Sequence, residues 1–208
     1  RNDGVRPEGP HYGLVFHALA TAGLYEDATK VFKRMLAIPG CANSIAFNIM
    51  IGIFGQRHDM DEALTLLEDM KKKGVPPDIM TYSRIVTGYV MQADFEEVLS
   101  WYDKVKAHRS KLQEAVISGS AAASSAARED LNNMDIWNKV YGNCIDAALW
   151  LERQGTAVIV VQELLKMGGK IDPRRHGGLL RYLEPGERFE VDSAVKEKRR
   201  TEAAVEWD

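Results

Sequence analysis

Five histidines, two cysteines and one Gly-Gly-Lys run are the residues of this 208-residue chain that could support covalent or metal chemistry. His11, His17, His58, His108 and His176 show neither HxxxH nor HExxH spacing, so no helix sets two imidazoles on one face for a zinc ion. His17 falls on an apolar-periodic stretch and reads as a packing residue. Cys41 and Cys144 stand far apart with no CxxC, which excludes a zinc ribbon and a disulfide-dense scaffold. Gly168-Gly169-Lys170 lacks the GxxxxGK[ST] spacing of a phosphate-cradling loop. There is no GxSxG elbow, no Cys–His pairing and no HxE…CxxC deaminase signature. The pattern implies no cofactor, no metal and no enzyme. The polar residues at helix starts, Asn48, Asp78 and Ser83, read on their own as caps.

The elements behind these residues are those of a globular chain. Apolar residues make up 45% and charged residues 27%, enough to build a core and to exclude wholesale disorder. The net charge is −3, from 27 basic and 30 acidic residues, which does not suit a protein that grips nucleic acid by bulk charge alone. No apolar run reaches the roughly 18–20 residues of a membrane span. The chain starts at Arg1 with no Met and no apolar leader. That start is read as a processed or trimmed one, with any targeting peptide out of view.

Shifting the sequence by 35 residues reveals an internal repeat. Tyr12, Phe47 and Tyr82 fall in register, as do Ala28, Ala63 and Val98, then Phe32, Leu67 and Tyr102, then Met35, Met70 and Val105. Acidic pairs align too: Glu26-Asp27, Asp61-Glu62 and Glu96-Glu97. The copies are 9–43, 44–78 and 79–113. Each reads as two helices. In the middle copy, Phe47, Met50, Ile51 and Phe54 form one apolar stripe from about Ala46 to Gln56. Arg57-His58-Asp59 interrupts it. Asp59, with Glu62 three residues on, then starts a second helix that runs to about Lys73. Its stripe is Ala63, Leu66, Leu67 and Met70. Gly74 can end it, and Pro76-Pro77 keeps it from resuming. One hairpin cannot bury both stripes, so copies must stack into an all-α solenoid.

The middle copy reads IAFNIMIGIFGQRHDMDEALTLLEDMKKKGVPPD. An aromatic-Asn start, an acidic-acidic-Ala-Leu second helix and a Met…Gly…Pro…Asp ending resemble the pentatricopeptide repeat. The tetratricopeptide first-helix signature is absent. The first copy is similar, with Gly23 ahead of its second helix. The third keeps the pattern through its second helix and lacks the Gly-Pro-Asp ending. The resemblance covers about half of the chain.

That resemblance implies single-stranded RNA as a partner, read at about one base per repeat by two or three side chains. Carried onto this sequence, the middle repeat offers Asn48 and Asp78 as base readers, with Ile45 sandwiching the base. Asn with Asp is similar to the uridine-preferring combination. The first repeat offers Gly13 with Asn43, and Gly has no side chain to read with. The third offers Ser83, Gln113 and Met80, which match no preference. The Lys that the family often places late in the first helix is missing: Thr21, Gln56 and Met91 stand there, although Arg57 adjoins one of them. Residues 1–113 hold 14 basic and 14 acidic residues, whereas phosphate neutralisation dominates most nucleic-acid affinity. A three-base readout recurs about every 64 nucleotides, too often to select a transcript.

Residues 114–133 include SGSAAASSAA and read as a linker or weak helix at the boundary between the repeats and the C-terminal half. Residues 134–173 read as a degenerate fourth hairpin. Trp137-Asn138 echoes Phe47-Asn48, and Lys170-Ile171-Asp172-Pro173 echoes the repeat ending. Asn138 and Asp172 lie 34 residues apart against 30 for Asn48 and Asp78, an excess of about one helical turn in the first helix. Residues 174–208 form a charged extension, read as a surface helix, with a Lys196–Arg200 basic run suited to RNA, to an acidic partner or simply to solvent.

The expectation is a pentatricopeptide-type α-solenoid of about four hairpins with a charged helical tail. Its expected role is an RNA-contacting or scaffolding subunit of an organellar ribonucleoprotein, with ribosomal RNA and neighbouring proteins as partners and no membrane. The resemblance suggests mitochondrial localisation, with the mitochondrial ribosome first and a plastid complex second. The alternative is a solenoid that holds protein rather than RNA.

Overall fold

The computed structural model describes residues 9–38, 41, 43–119 and 121–183. The expected C-terminal helix and its Lys196–Arg200 run lie outside those residues. Among the described residues the chain is helical throughout, without a strand. The helices are α1 (Gly9–Thr21), α2 (Tyr25–Ala37), α3 (Ser44–Gln56), α4 (Met60–Lys72), α5 (Ile79–Met91), α6 (Phe95–Ser118), α7 (Ala121–Asn132), α8 (Met134–Trp150), α9 (Gln154–Lys166) and the short α10 (Pro173–His176), with a 3₁₀ turn, Gly177–Tyr182, after it. They fall into two compact units that divide between Asp94 and Phe95. The division cuts the third sequence repeat between its two helices.

In the first unit the register becomes two hairpins and a further first helix. α1 pairs with α2 and α3 with α4, while the first helices pack side by side, α1 on α3 and α3 on α5. Phe16, Phe32 and Phe47 form a ladder at their centre. Phe16 lies 5.7 Å from Phe32, and Phe32 meets Phe47 edge-on at 5.3 Å. All three are buried together with Met35, Met50 and Met70. Full burial of one such side chain is worth roughly 1.5–3 kcal/mol, so the repeat columns of Phe32, Phe47, Met35 and Met70, with Phe16 and Met50 beside them, carry the hairpin stacking.

The 35-residue register also governs how the first helices stop. Gly23, His58 and Ala93 have φ of +74°, +59° and +56°. Each turns the chain so that the next amide reaches back to the helix: Leu24 N–H donates to Leu19 O, Asp59 N–H to Phe54 O and Asp94 N–H to Tyr89 O at 2.9–3.0 Å. This is the left-handed helix cap that glycine adopts freely and other residues adopt with strain. Gly74 ends α4 in the same way, at φ +73°. Asp59 starts α4 as expected, although its carboxylate accepts from Glu62 N–H at a long 3.5 Å.

α3 and α5 approach unusually closely. A Cβ on Gly55 would sit 3.1 Å from Gly88 Cα, and a Cβ on Gly88 would sit 3.2 Å from Gly55 Cα and 2.5 Å from Met60 Sδ. Glycine serves this crossing through space rather than through backbone freedom, since an added Cβ at either position would make the other helix or Met60 give way.

The second unit departs from the repeat. α6 has 24 residues, where α2 and α4 have 13. The Ala/Ser-rich stretch is helix rather than linker: residues 114–118 finish α6, and residues 121–132 form α7, which packs along α6. Alanine is the best helix former and small enough for close packing, and Ala127 is buried. Tertiary contact thus settles a segment whose local preference was weak. α8 spans 17 residues where α1, α3 and α5 span 13, and it packs on α6 and α9. Trp137, Tyr141, Cys144 and Ile145 of α8 form this core with Val160, Val161 and Leu164 of α9. Trp137 Nε1 donates to Asp130 O at 3.0 Å, which fixes the α7–α8 corner.

Candidate nucleic-acid interface

The polar centre of the first unit is built where α5 begins. Pro76 and Pro77 hold the chain extended after α4, and Asp78 takes extended dihedrals as the N-cap of α5. Its carboxylate accepts from Thr81 N–H at 2.8 Å, and Thr81 Oγ1 accepts from Asp78 N–H at 3.1 Å. This reciprocal cap satisfies two amides that the helix leaves open.

Asn48, one turn into α3, joins that cap. Its Nδ2 donates to Asp78 Oδ1 at 3.0 Å and lies 3.3 Å from Oδ2. Its Oδ1 lies 2.7 Å from Thr81 Oγ1. Asn48 is 5% exposed and Thr81 is fully buried. The structure therefore brings together two residues 30 positions apart that the sequence singled out, and adds a third that it did not. The available signal was Thr81 standing three residues after an N-cap aspartate, the spacing of a capping box.

The other candidates scatter around this centre. Ile45, on the first turn of α3, is 65% exposed, an aliphatic surface beside the buried amide. Met80, at the matching position of α5, is half-buried, and Ser83 is buried. Asn43 is the N-cap of α3, and its side chain accepts from Ala46 N–H at 2.9 Å. Arg57 is exposed at the far end of α3, about 13 Å along the helix axis from Asn48, so it does not belong to the same cluster. Gln113 lies inside α6, not in an extended segment ahead of a first helix.

The open face of the first helices keeps the repeat register. Ile45, Ile49, Gly52 and Gln56 of α3 match Met80, Arg84, Thr87 and Met91 of α5, and Leu14, His17 and Thr21 of α1 continue the series, with His17 exposed rather than the packing residue its apolar-periodic stretch suggested. Most of this face is apolar or uncharged. Arg84 is the exception, and sequence reasoning missed it. Its side chain lies across Gly52, where a Cβ would stand 3.2 Å from Arg84 Cδ. Its Nε is buried with no hydrogen-bond partner among the described residues.

In the second unit, Asn138 and Asp172 are engaged separately. Asn138 Oδ1 accepts from Lys170 N–H at 2.8 Å. Asp172 caps α10, accepting from Arg174 N–H at 2.9 Å, and that backbone bond holds its carboxyl below the usual carboxylate range. Nearby, Tyr102 donates its hydroxyl to Glu163, which also takes Lys106 Nζ at 2.7 Å. Burial raises the Tyr102 and Tyr141 phenols above their ordinary value, so both are neutral packing groups at physiological pH. Among the described residues no three His, Cys, Asp or Glu side chains are placed to hold a metal ion. No described helix is long and apolar enough to cross a membrane.

Three family models match consecutive stretches: a pentatricopeptide repeat domain over residues 1–57, the PPR repeat family over 42–91 and a PPR repeat over 80–109. Together they run from residue 1 to 109 of 208. A chloroplastic pentatricopeptide repeat-containing protein of Arabidopsis thaliana is 30% identical over 101 residues, covering 49% of this chain and 11% of that protein. A second chloroplastic Arabidopsis protein is 27% identical over 101 residues, 48% of this chain and 13% of its own length. Pentatricopeptide repeat-containing protein 10, chloroplastic, of Zea mays is 29% identical over 84 residues, 40% of this chain and 11% of that protein. The chain therefore matches only about a tenth of the length of these relatives. The crystal structure of maize PPR10 in complex with an 18-nt psaJ RNA element aligns over 96% of this chain and 34% of that one, with 19% identity and a TM-score of 0.46. With three consecutive models over its first 109 residues and the 35-residue register in its helices, the chain belongs to the pentatricopeptide repeat family.

Proposed function

We propose that this chain is an RNA-contacting helical-repeat part of an organellar ribonucleoprotein, without catalytic activity of its own. The observation that carries the reading is the Asn48–Asp78 pair, hydrogen-bonded at 3.0 Å beside the exposed Ile45. It supplies a preorganised polar edge and an aliphatic surface for one unstacked base. Arg84 supplies a cation on the same face, in place of the lysine absent at Thr21, Gln56 and Met91. One good reader pair and a charge-balanced array suit a small contact held by neighbours, whose avidity supplies the rest of the affinity. Two of the chloroplastic relatives favour the plastid over the mitochondrion as its compartment. The mitochondrial ribosome is the narrower version of the same role, and association with ribosomal particles in a sedimentation gradient would support it.

Photo-crosslinking to a uridine-containing oligonucleotide, with peptide mapping of the adducts, tests the reading. Adducts are expected on the first two turns of α3, around Ile45 and Asn48. Adducts elsewhere, or none, would count against direct base contact.

A second reading has its own observation. Leu14 is 75% exposed, Ile45 65% and Met91 47% on the first-helix face, a surface that also fits an apolar protein segment. Added salt separates the two. RNA affinity should fall steeply with salt through counterion release, and an apolar protein contact should hardly change.

A further inference from the structure

The second unit holds a cavity of about 240 Å³ between α6, α8 and α9. Its α6 wall is Lys106, Arg109, Ser110 and Gln113, at i, i+3, i+4 and i+7 on one face of the helix. Most of that wall belongs to the extension of α6. α2 and α4 stop after 13 residues, and the thirteenth residue of α6 is Ala107. Tyr141 of α8 and Glu163 and Lys166 of α9 close the other sides. Three cations thus face one carboxylate. Glu163 is already engaged: it accepts from the Tyr102 hydroxyl and holds Lys106 Nζ at 2.7 Å. Burial keeps the Tyr141 phenol protonated, so it adds no negative charge. No carboxylate among the described residues pairs with Arg109 or Lys166.

Arg109 shows the imbalance most plainly. Its guanidinium carbon lies 5.2 Å from the centre of the Trp137 ring, a contact that occupies the face of the group and not its N–H edge. Its Nη1 is buried with no hydrogen-bond partner among the described residues. A charged donor kept from water without an acceptor is costlier than a neutral one, and an anion in the cavity offsets that cost. Lys166 has a plainer explanation, the negative end of α9. The last carbonyls of α9 are already taken, however: Gly168 N–H donates to Leu165 O and Gly169 N–H to Leu164 O, both at 2.9 Å. That leaves the exposed ammonium to a ligand. The excess of two positive charges matches a phosphate monoester near pH 7. We propose that this cavity binds the phosphate group of a nucleotide, with the Arg109 fork on its oxygens and Lys166 answering the second charge. Ser110 and Gln113, both exposed, add neutral donors at the mouth. Two sources carry that group, a free nucleotide and the phosphorylated end of an RNA strand. The site lies wholly in the second unit and stands whether or not Asn48 reads a base.

The test titrates the whole chain with uridine monophosphate and with uridine at one low salt concentration, followed by amide NMR shifts. The monophosphate should move the amides of residues 106–113 and 163–167, and uridine should leave them in place. Arg109→Gln and Lys166→Gln should each weaken that binding about tenfold, the scale of one charged hydrogen bond. Arg153→Gln, whose partner is Glu96, removes a cation outside the cavity and should leave the affinity unchanged. Lys166 is exposed, so its variant decides the matter even if Arg109→Gln loosens the packing on Trp137. A short RNA with and without a 5′-phosphate separates the sources. Tighter binding of the phosphorylated strand, lost in Lys166→Gln, assigns the site to a strand end. Equal binding of the two strands, with the monophosphate still seated, assigns it to a free nucleotide. Monophosphate shifts confined to the first unit, equal shifts from uridine, or full affinity in Lys166→Gln would overturn the proposal. None of those results bears on crosslinking at Ile45 and Asn48, so this site and the α3 contact can fail separately.

Discussion

The same two residue types, an amide early in a first helix and an aspartate at the end of the hairpin, have different fates in the two units. In the first unit Asp78 opens α5, a 13-residue helix, and its carboxylate is shared between its own cap and Asn48. In the second unit Asp172 opens α10, four residues long. Its carboxylate serves Arg174 N–H, and Asn138 turns to the Lys170 amide instead. The element that begins at the aspartate decides whether the pair forms. A full first helix packed beside α3 presents Thr81 and the cap to Asn48. A single turn running into a 3₁₀ segment presents nothing equivalent. The Asn–Asp hydrogen bond thus depends on two successive hairpins, since the same residue types in α8 and before α10 do not form it.

The sharpest way to break this comparison is to remove each aspartate in turn. Asp78→Ala loses a helix cap and strands a buried amide, so it should cost about 2–4 kcal/mol of stability. Asp172→Ala loses one exposed cap bond and should cost about 1 kcal/mol or less. Equal shifts in denaturant midpoint would mean that the Asn48 network adds nothing. A second contrast uses glycine. Gly88→Ala drives a methyl into Met60 and the Gly55 backbone and should cost about 1–3 kcal/mol. Gly142, inside α8, has open space around its added Cβ, so Gly142→Ala should stabilise by up to about 1 kcal/mol. The same substitution should therefore change sign between the units.

A smaller effect concerns charge. Arg84→Ala should weaken RNA binding severalfold and reduce the slope of log affinity against log salt by about 0.7. Arg153, paired with Glu96 at 2.7 Å on the second unit's surface, is the control, and Arg153→Ala should alter stability by less than about 1 kcal/mol. The smallest effect is at Cys144. Burial pushes its thiol up to about 12 from an ordinary 9.0. The unfolded thiol ionises first, so this contribution to stability is complete below about pH 9 and is lost as the pH rises towards 12. Iodoacetamide at pH 8.5 should leave Cys144 unmodified in the native protein and label it on unfolding.

Much of the first unit was legible in the sequence because its information is periodic. Columns such as Phe47, Ala63 and Met70 mark buried faces, and Asp59, Gly74 and Pro76-Pro77 mark helix ends by local chemistry. His58 and Ala93 were not legible as left-handed caps, since neither residue type favours that conformation. The register and the preceding Gly23 were the available hints. The stretch 114–133 was undecided because alanine and serine specify a helix only when a partner covers it, and α6 is that partner. Thr81 and Arg84 stayed hidden for a related reason. One acts on a residue 33 positions away, and the other gains its place from a missing side chain at Gly52.

The sequence by itself determined the all-helical hairpins and their 35-residue register, because these arise from side-chain periodicity and from caps that act over three or four positions. Only the tertiary structure decided that Asn48, Asp78 and Thr81 close one network while Asn138 and Asp172 do not. Hydrogen bonds between residues 30 or more positions apart depend on which helix packs next, and neither residue type nor spacing within one hairpin carries that information.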